Sequence, residues 1–368
     1  MSPSKPSHSI PTDVLERLDI QLSNEKMNPW GKVVADDIKN LIRHAGPSGE
    51  MFENADTISE IIITALKAAQ SQIGRGDLKL LSRSARELRY AFKIFKAYKG
   101  VKKVTMFGSA RTKPNHPEYI QAKKFASLIR KEGFMAITGA GPGIMEAGNE
   151  GAGKDGSFGV NIRLPFEQHP NKYIANLDTY IDCRYFFTRK LVFVKEANAA
   201  AFFPGGFGTL DEAFELLTLI QTGKCDPMPI VCLDTPGSNF WKSFEKVILS
   251  KLLKSAKISK EDMGLFKITT SPSDAVKEIL HFYSNYHSIR YVGPSLVMRV
   301  NKFVTDAQLK YLNKNFKDII TGGTFQRSSA LPEEDNQPDL AHLPRIVFNF
   351  NRINNGRLRQ LINFINKK

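Results

Sequence analysis

The sequence predicts an α/β protein with a doubly wound, mostly parallel sheet, preceded by a helical extension and followed by a small α/β module. Two observations lead to this prediction. From Lys102 onwards, short apolar segments alternate with amphipathic segments of helical period, which is the pattern of strands connected by helices in a parallel sheet. Three glycine-rich turns also follow three of the apolar segments, and open α/β sheets bind ligands at the carboxyl ends of their strands.

The composition sets limits on the class of protein. A chain of 368 residues with 42% hydrophobic residues can bury one large core, with or without a smaller module. No apolar run approaches about 18 residues and the start lacks an apolar core, so we expect no membrane span and no secretory signal. The three cysteines, Cys183, Cys225 and Cys232, are odd in number and show no metal-ligand spacing. We therefore expect a cytoplasmic protein with reduced thiols and with no metal or other cofactor.

The net charge of +15 is concentrated in two segments. Residues 83–103 contain eight basic residues and one acidic residue, and residues 345–368 contain six basic residues and no acidic one. Such charge suits nucleic acid, an anionic membrane, a solvated face or a funnel for phosphorylated small molecules. Because no nucleic-acid-binding motif accompanies the charge, we favour the last two and do not expect a nucleic-acid partner.

The first domain that the sequence predicts covers residues 1–99 and is helical. Residues 1–12 are rich in Ser and Pro, and we expect them to be disordered. The segments after them show apolar stripes at helical spacing, separated by Pro29 and by the glycine-proline cluster at 46–49. This extension is an oligomerisation or clamp element in our interpretation.

The second predicted domain covers residues 100–285, and the third covers residues 286–368. In the second, the expected strands are 104–107, 135–138, 158–162, 179–182, 199–203, 230–233 and 266–270. The helices expected between them are 118–131, 143–151, 186–196, 210–222 and 240–253. In the third, we expect strands at 296–300 and 346–350, helices at 306–316 and 357–365, and a polar loop near 331–344.

The three turns are FGSAR (107–111), TGAGPGIME (138–146) and PGGFGTLDE (204–212). The third is the most informative, because it follows an apolar strand and opens a helix. This arrangement directs backbone N–H groups and a helix N-terminus towards an anion, most often a phosphate. The acidic pair Asp211 and Glu212 lies within one helical turn and would repel a phosphate unless it faces the sugar. The segment therefore predicts a site that holds a nucleotide and also cleaves it.

Two familiar nucleotide motifs do not fit. A dinucleotide fingerprint starting at Gly139 and Gly141 needs a third glycine where Ile144 stands. A P-loop is approached at 148–154, but Asp155 replaces the Ser or Thr that would ligate Mg²⁺, and a helix precedes the segment where a strand is required. The sequence thus indicates neither a dinucleotide-binding protein nor an ATPase.

Four motifs in this order and spacing, GSAR, GAGPGIMEAGNEGA, FFTRK and PGGFGTLDE, resemble the Lonely Guy (LOG) family. The resemblance covers about residues 100–285, and the flanking segments resemble those of a longer bacterial subgroup. It implies a Rossmann-like phosphoribohydrolase that cleaves nucleoside 5′-monophosphates into free base and ribose 5-phosphate. Many members of this family were once labelled lysine decarboxylases.

The resemblance also implies roles for individual residues. The family's catalytic arginine matches Arg189 and its essential glutamate matches Glu212, while phosphate is held by the third turn with the first turn alongside. The expected substrate-binding residues are Gly108, Ser109, Ala110, Arg111, Gly141, Gly143, Met145, Glu146, Lys190, Gly205, Gly206, Gly208, Thr209 and Asp211. The chain departs from the family pattern at Phe186-Phe187, where Met-His is usual, and at Asp211-Glu212, where Glu-Glu is usual.

These roles are chemically consistent. Cleavage of an N-glycosidic bond builds positive charge on the ribose, which a nearby carboxylate stabilises while it activates water. Asp211 and Glu212 diverge by about 100° on a helix, so they cannot face each other across the bond. Glu212 is then the working carboxylate and Asp211 a helix cap or hydroxyl ligand, while Arg189 binds phosphate or orients Glu212.

We therefore expect a nucleoside-5′-monophosphate phosphoribohydrolase that forms a homo-oligomer, a dimer or larger. One alternative is a nucleotide-binding sensor or regulatory protein that keeps the fold without turnover. Another is an interaction protein that binds nucleic acid through the basic helix within residues 83–103.

Overall fold

A computed structural model of the chain describes residues 12–24, 29–46, 49–165 and 169–367. Of the segment predicted to be disordered, residues 1–11 lie outside these ranges, and Thr12 begins the first helix. The chain divides into two compact units, residues 1–85 and 86–368. Among the described helices, none combines the length and the apolar content needed to span a bilayer.

The first unit is helical, as the apolar stripes predict. Its helices are α1 (Thr12–Ser23), α2 (Lys32–Ala45), α3 (Ala55–Gln70) and the start of α4 (Arg75–Lys96), which continues into the second unit. One side of each of the first three helices is buried and the opposite side is exposed; on α3 the exposed side includes Ile61 and Leu66. Their shared core contains Val14, Leu18, Leu22, Ala35, Ile38, Ile42, Met51, Ala55 and Ile63.

A seven-stranded parallel sheet forms the centre of the second unit and confirms the predicted doubly wound fold. Its strands are β1 (Lys103–Phe107), β2 (Met135–Thr138), β3 (Ser157–Ile162), β4 (Tyr180–Cys183), β5 (Ala199–Phe202), β6 (Ile230–Leu233) and β7 (Phe266–Thr269). Their order is β4-β3-β2-β1-β5-β6-β7, so the chain winds outwards from β1 in one direction and from β5 in the other. β1 and β5 are therefore neighbours at the topological switch point, with Phe107 opposite Phe202 at their carboxyl ends.

Helices cover both faces of this sheet. They are α5 (Pro117–Lys131), α6 (Ile144–Ala152), α7 (Phe186–Glu196), α8 (Phe207–Gln221), α9 (Phe240–Phe244), α10 (Ser250–Lys254) and α11 (Pro272–Phe282). The core on one face joins α5, α6 and α11, and the core on the other joins the end of α4 to α7, α8 and α9. The single helix predicted at 240–253 is interrupted by a π-helical turn, Glu245–Leu249, between α9 and α10. The prediction missed α11, although the Ser271 hydroxyl caps it and Pro272 starts it.

The last part of the chain forms the small α/β module that the sequence predicts. Its strands are β8 (Tyr286–Val292), β9 (Ser295–Val300), β10 (Gln326–Ser328) and β11 (Arg345–Phe348), and its helices are α12 (Asp306–Asn315) and α13 (Asn355–Ile365). The four strands are antiparallel in the order β10-β11-β9-β8. Sequence patterns missed β8 and β10, because β8 is only half-buried along most of its length and β10 has three residues.

Helix α13 attaches the module to the parallel sheet domain. The Arg359 guanidinium donates to Glu278 on α11 over 2.8 Å, and the Asn355 amide donates to the Gln221 carbonyl at the end of α8 over 3.0 Å. Other basic residues of the tail are also engaged internally: Arg357 pairs with Asp318, and Arg352 lies over the Tyr291 ring. Much of the positive charge of this tail therefore serves internal contacts.

Candidate nucleotide site

The first and third turns meet at the switch point because the strands before them are neighbours. The backbone N–H of Phe203 donates to the Phe107 carbonyl over 2.9 Å, and that of Ser109 donates to the Pro204 carbonyl over 3.0 Å. These two bonds extend the pairing of β1 and β5 past the ends of the strands. The turns are thereby fixed side by side.

The third turn passes directly into helix α8, whose first residue is Phe207. A Cβ atom added at Gly205 would lie 2.1 Å from the Thr209 hydroxyl oxygen, so this position accepts only glycine while the turn keeps its shape. Cβ atoms at Gly206 and Gly208 would meet nothing within 4 Å, which leaves this backbone open. The first N–H groups of a helix have no intrahelical partner, so the start of α8 is of the kind that suits an anion.

The second turn packs against the first and forms a backbone hydrogen bond with it. The N–H of Ile144 donates to the Ser109 carbonyl over 3.0 Å, and a Cβ atom at Gly143 would lie 2.3 Å from the same oxygen. Gly143 also has a φ of +68°, which L side chains rarely adopt. Gly143 therefore allows the second turn to approach the first.

A buried polar network that sequence reasoning missed holds the second turn in place. Ala140 has a φ of +61°, an uncommon conformation for a residue with a side chain. The Asn171 side-chain amide donates to the Ala140 and Gly141 carbonyls over 3.1 and 3.0 Å. It also donates to Asn149, which in turn accepts a bond from the Thr138 hydroxyl. The network compensates for the strained backbone at the edge of the site.

A cleft of about 760 Å³ opens at this edge of the sheet. Of the residues that the sequence predicts for the site, twelve line it: Gly108, Ser109, Ala110, Arg111, Met145, Arg189, Gly205, Gly206, Gly208, Thr209, Asp211 and Glu212. Four predicted residues do not: Gly141, Gly143, Glu146 and Lys190. The lining residues outside the predicted set are Phe107, Gly139, Ile162, Leu164, Phe186, Phe207 and Leu210. Most of these additions are apolar and follow a strand end or begin a helix, which is the signal that could have identified them.

Helices α7 and α8 bring Arg189 and Glu212 to the same cleft. Glu212 lies on the inner side of α8 with 6% of its surface exposed. Burial is the main influence and raises its pKa to about 7, whereas the charges of Lys190 and Arg189 lower it. A carboxyl group with this pKa changes its protonation state near neutral pH, as an acid or base catalyst must.

Arg189 is the other charged group deep in the cleft. Burial lowers the pKa of its guanidinium, while Glu212 and Cys183 act in the opposite direction. Its Nε atom is buried and has no hydrogen-bond partner within the described part of the chain. The guanidinium carbon lies 5.2 Å from the centre of the Phe193 ring and 5.7 Å from that of Phe186. The guanidinium thus lies near two aromatic rings and close enough to Glu212 to lower the pKa of its carboxyl group.

Lys190 on α7 forms ion pairs with α8 and does not line the cleft. Its ammonium group lies 2.9 Å from a carboxylate oxygen of Asp211 and 2.9 Å from one of Glu215. Asp211 and Glu212 are neighbours in sequence but differ in surroundings, since the Asp211 side chain is 59% exposed. The expected divergence of the two carboxylates on the helix is therefore observed.

The apolar part of the cleft lies beside these charges. It includes Met145, Ile162, Leu164 and Phe186, and the exposed ring of Phe207 stands at the start of α8. Across the described ranges, no group of three or more His, Cys, Asp or Glu side chains is arranged to hold a metal ion. The site therefore combines a helix start of the kind that suits an anion, a titratable carboxyl group, a buried cation and an apolar surface of the kind that a flat ring can cover.

Comparisons with known proteins agree with the motifs. A family model described as "Possible lysine decarboxylase" matches residues 140–279. The cytokinin riboside 5′-monophosphate phosphoribohydrolase of Mycobacterium marinum is 27% identical over 168 residues, which cover 45% of this chain and 87% of that protein. The pyrimidine/purine nucleotide 5′-monophosphate nucleosidase of Escherichia coli strain K12 is 26% identical over 157 residues, 39% of this chain and 34% of that protein. This chain thus spans about a third of the length of the Escherichia coli relative.

Among solved structures, the molybdenum cofactor carrier protein of Chlamydomonas reinhardtii matches with a TM-score of 0.36 and 20% sequence identity, covering 49% of this chain and 98% of that one. The molybdenum cofactor binding protein of Rippkaea orientalis matches with a TM-score of 0.33 and 21% identity, covering 48% and 91%. The family match and the two curated relatives confirm the resemblance carried by the four motifs. Through its parallel-sheet domain, the chain is similar to members of the Lonely Guy (LOG) family.

Proposed function

We propose that this protein hydrolyses the N-glycosidic bond of nucleoside 5′-monophosphates and releases free base and ribose 5-phosphate. One observation carries the proposal: the titratable Glu212 and the buried Arg189 line the same cleft as the two turns suited to phosphate. The names of the two curated relatives support this reaction class.

In this proposal the 5′-phosphate binds at the third turn, between Gly205 and Thr209, with Ser109 alongside. The N-terminal N–H groups of α8 donate to the phosphate oxygens, and the helix dipole favours their negative charge. Arg111 is exposed at the rim of the cleft and neutralises further charge. The phosphate thereby fixes the ribose one sugar length from Glu212.

The base lies on the apolar part of the cleft, against Met145, Ile162, Leu164 and Phe186. Such a surface binds a ring by stacking and by removing apolar area from water. Phe186 occupies one of the positions at which the sequence departs from the family pattern, so we expect base preference to depend on it. Gly141, Gly143 and Glu146 support the site from behind in this view, and Lys190 positions α7 against α8.

Glu212 in its ionised form then carries the chemistry. As the C1′–N bond breaks, its electron pair leaves with the base, which takes a proton from solvent. The carboxylate stabilises the positive charge that develops on the ribose, and it accepts a proton from the water whose oxygen bonds to C1′. Arg189 favours the ionised form of Glu212 through its positive charge.

The test is to incubate the purified full-length protein with AMP, GMP, CMP and UMP and to assay ribose 5-phosphate and free base. We expect release with at least one of them and a loss of at least about a hundredfold in kcat for Glu212→Gln. Glu132→Gln is the matched control, because Glu132 is exposed at the end of α5. Absence of product with every monophosphate would refute the proposal, and tight binding without product would favour the nucleotide-binding sensor.

We also propose that the protein acts as a homo-oligomer. Phe187 and Leu191 lie one turn apart on α7, both about half exposed, and Phe207 at the start of α8 is 94% exposed. A second copy of the chain that covers this surface would remove apolar area from water beside the cleft. Light scattering coupled to size-exclusion chromatography should give a dimer or larger species that Leu191→Asp dissociates, and a monomeric wild type would contradict this.

A further inference from the structure

Glu212 lines a second space besides the open cleft. Beneath α7 and α8, a small cavity of about 10 Å³ is enclosed against β1. Its walls are mainly apolar side chains such as Phe193 and Leu216, and its polar side chains are those of Thr105 and Glu212. Glu212 therefore lines both the open cleft and a small cavity that the Thr105 side chain also lines.

Among the residues that the structure describes, the Thr105 hydroxyl has no hydrogen-bond partner, although Thr105 is only 2% exposed. Alternation along β1 directs Thr105 and Phe107 to the face covered by α7 and α8, whereas Val104 and Met106 belong to the opposite core. A buried hydroxyl without a partner destabilises a fold, because it has lost its hydrogen bonds to water. A valine would fill the same space without this loss, so the hydroxyl calls for an explanation.

The size and polarity of the cavity explain why a hydroxyl group stands at position 105. About 10–15 Å³ of water-accessible space holds one water molecule, provided that two or more polar groups can bind it. Thr105 offers a donor and an acceptor, and Glu212 offers two carboxylate oxygens. Within the described part of the chain, no group donates a direct hydrogen bond to the Glu212 carboxylate. A bridging water would satisfy both side chains.

We propose that Thr105 is a positioning residue for the Glu212 carboxylate and acts through one water molecule held in this cavity. The effect of Thr105 on catalysis rests on the proposed function of Glu212, whereas the water-mediated contact between the two side chains does not. The bridge fixes the carboxylate from behind, so that its other oxygen faces the cleft. It also donates a hydrogen bond to the carboxylate and thereby favours the ionised form.

The other charged groups that act on Glu212 come from the two helices above the cavity. Lys190 and Arg189 on α7 lower the pKa of Glu212, and Glu215 and Asp211 on α8 raise it. All four are left intact when Thr105 is changed. A shift of the Glu212 titration in a Thr105 variant can therefore be attributed to the cavity.

The experiment compares Thr105→Val, which is isosteric but has no hydroxyl, with Thr105→Ser, which keeps the hydroxyl. The Glu212 carboxyl is titrated in the full-length protein by infrared spectroscopy, its band being assigned by its loss in Glu212→Gln. We expect the pKa of Glu212 in Thr105→Val to rise by about half a unit to one unit, and that in Thr105→Ser to match the wild type. The midpoint of the pH dependence of kcat/KM should move by the same amount.

Equal titration of wild type and Thr105→Val would overturn the inference, as would a high-resolution crystal structure with no water between the two side chains. Thermal unfolding of each variant checks that it is folded, and Val suits the central strand β1 well. The infrared titration requires no turnover. If no monophosphate is hydrolysed, the proposed function is refuted, but the infrared titration still tests the contact between Thr105 and Glu212.

Discussion

Two parts of this protein bury charged side chains in opposite ways. In the C-terminal module, Glu334 is enclosed by two buried arginines: Arg299 Nε donates to it over 2.9 Å and Arg345 Nε over 3.1 Å. In the cleft, the buried Nε atom of Arg189 has no partner among the described residues, and no hydrogen bond between Arg189 and Glu212 is found there. The Glu334 cluster is thus saturated, in the sense that its charged groups are hydrogen-bonded to one another, whereas the Arg189 and Glu212 pair is not.

The difference appears in the pKa values of the two carboxyl groups. Burial alone would raise the pKa of Glu334, but hydrogen bonds from Arg345, from the Leu331 backbone and from Arg299 outweigh it and hold the pKa below its ordinary value. For Glu212 burial prevails, and the pKa rises to about 7. A saturated buried charge belongs to the architecture of a fold, whereas an unsaturated one beside an open cleft is available to a ligand.

The largest effect should come from Glu334→Gln. Removing its charge leaves Arg299 and Arg345 buried without compensation, which should lower the free energy of unfolding by about 3–5 kcal/mol. Denaturant titration of the full-length protein measures this change, and Glu333→Gln is the control because that neighbour is exposed. A loss below about 1 kcal/mol would mean that the saturated cluster is not structural, and the contrast with the cleft would fail.

The corresponding change at Glu212 should have the opposite sign. Since its folded-state pKa of about 7 exceeds the ordinary 4.5, the folded state binds the proton more tightly. Stability from this group is fully present below about pH 4.5 and is lost as the pH rises through 7. Glu212→Gln should therefore stabilise the protein at pH 8 by up to about 3 kcal/mol and little at pH 4.5, as measured by denaturant titration at both values. Equal stability of variant and wild type at pH 8 would show that burial of the ionised Glu212 does not destabilise the fold.

Sequence reasoning named more of the cleft's lining residues on the side of the first and third turns than on its apolar side. The turn glycines and the Arg189/Glu212 pair are local motifs, and the alternation of strands and helices places the turns at one edge of the sheet. The support provided by Asn171 was missed, because a loop asparagine 31 residues from the Ala140 carbonyl gives no periodic signal. Helix α11 was missed although Ser271 and Pro272 mark its start, whereas β8 was missed because it is only half-buried along most of its length and β10 because it has three residues.

The activity should follow the titration of Glu212. Because the ionised carboxylate is the working form in our proposal, kcat/KM should rise about tenfold per pH unit below 7 and level off above it. The pKa of Glu334 lies below its ordinary value, so its titration should not affect the pH dependence of kcat/KM. The measurement is the initial rate of base release at low substrate concentration from pH 5 to pH 9. A profile that is flat through pH 7 would contradict the role of Glu212.

The smallest effect contrasts two half-exposed aromatic rings. Phe186 is 54% exposed in the cleft, whereas Tyr311 in the module is 46% exposed and stacks on Phe364 with ring centres 4.2 Å apart. Phe186→Ala should raise KM about tenfold, because a base loses its stacking surface, and should change stability little. Tyr311→Ala should lower the free energy of unfolding by about 1 kcal/mol and leave KM unchanged. Steady-state kinetics and thermal unfolding of both variants separate these outcomes. Should Phe186→Ala lower stability without changing KM, its ring would belong to the architecture of the fold and the base would lie elsewhere in the cleft.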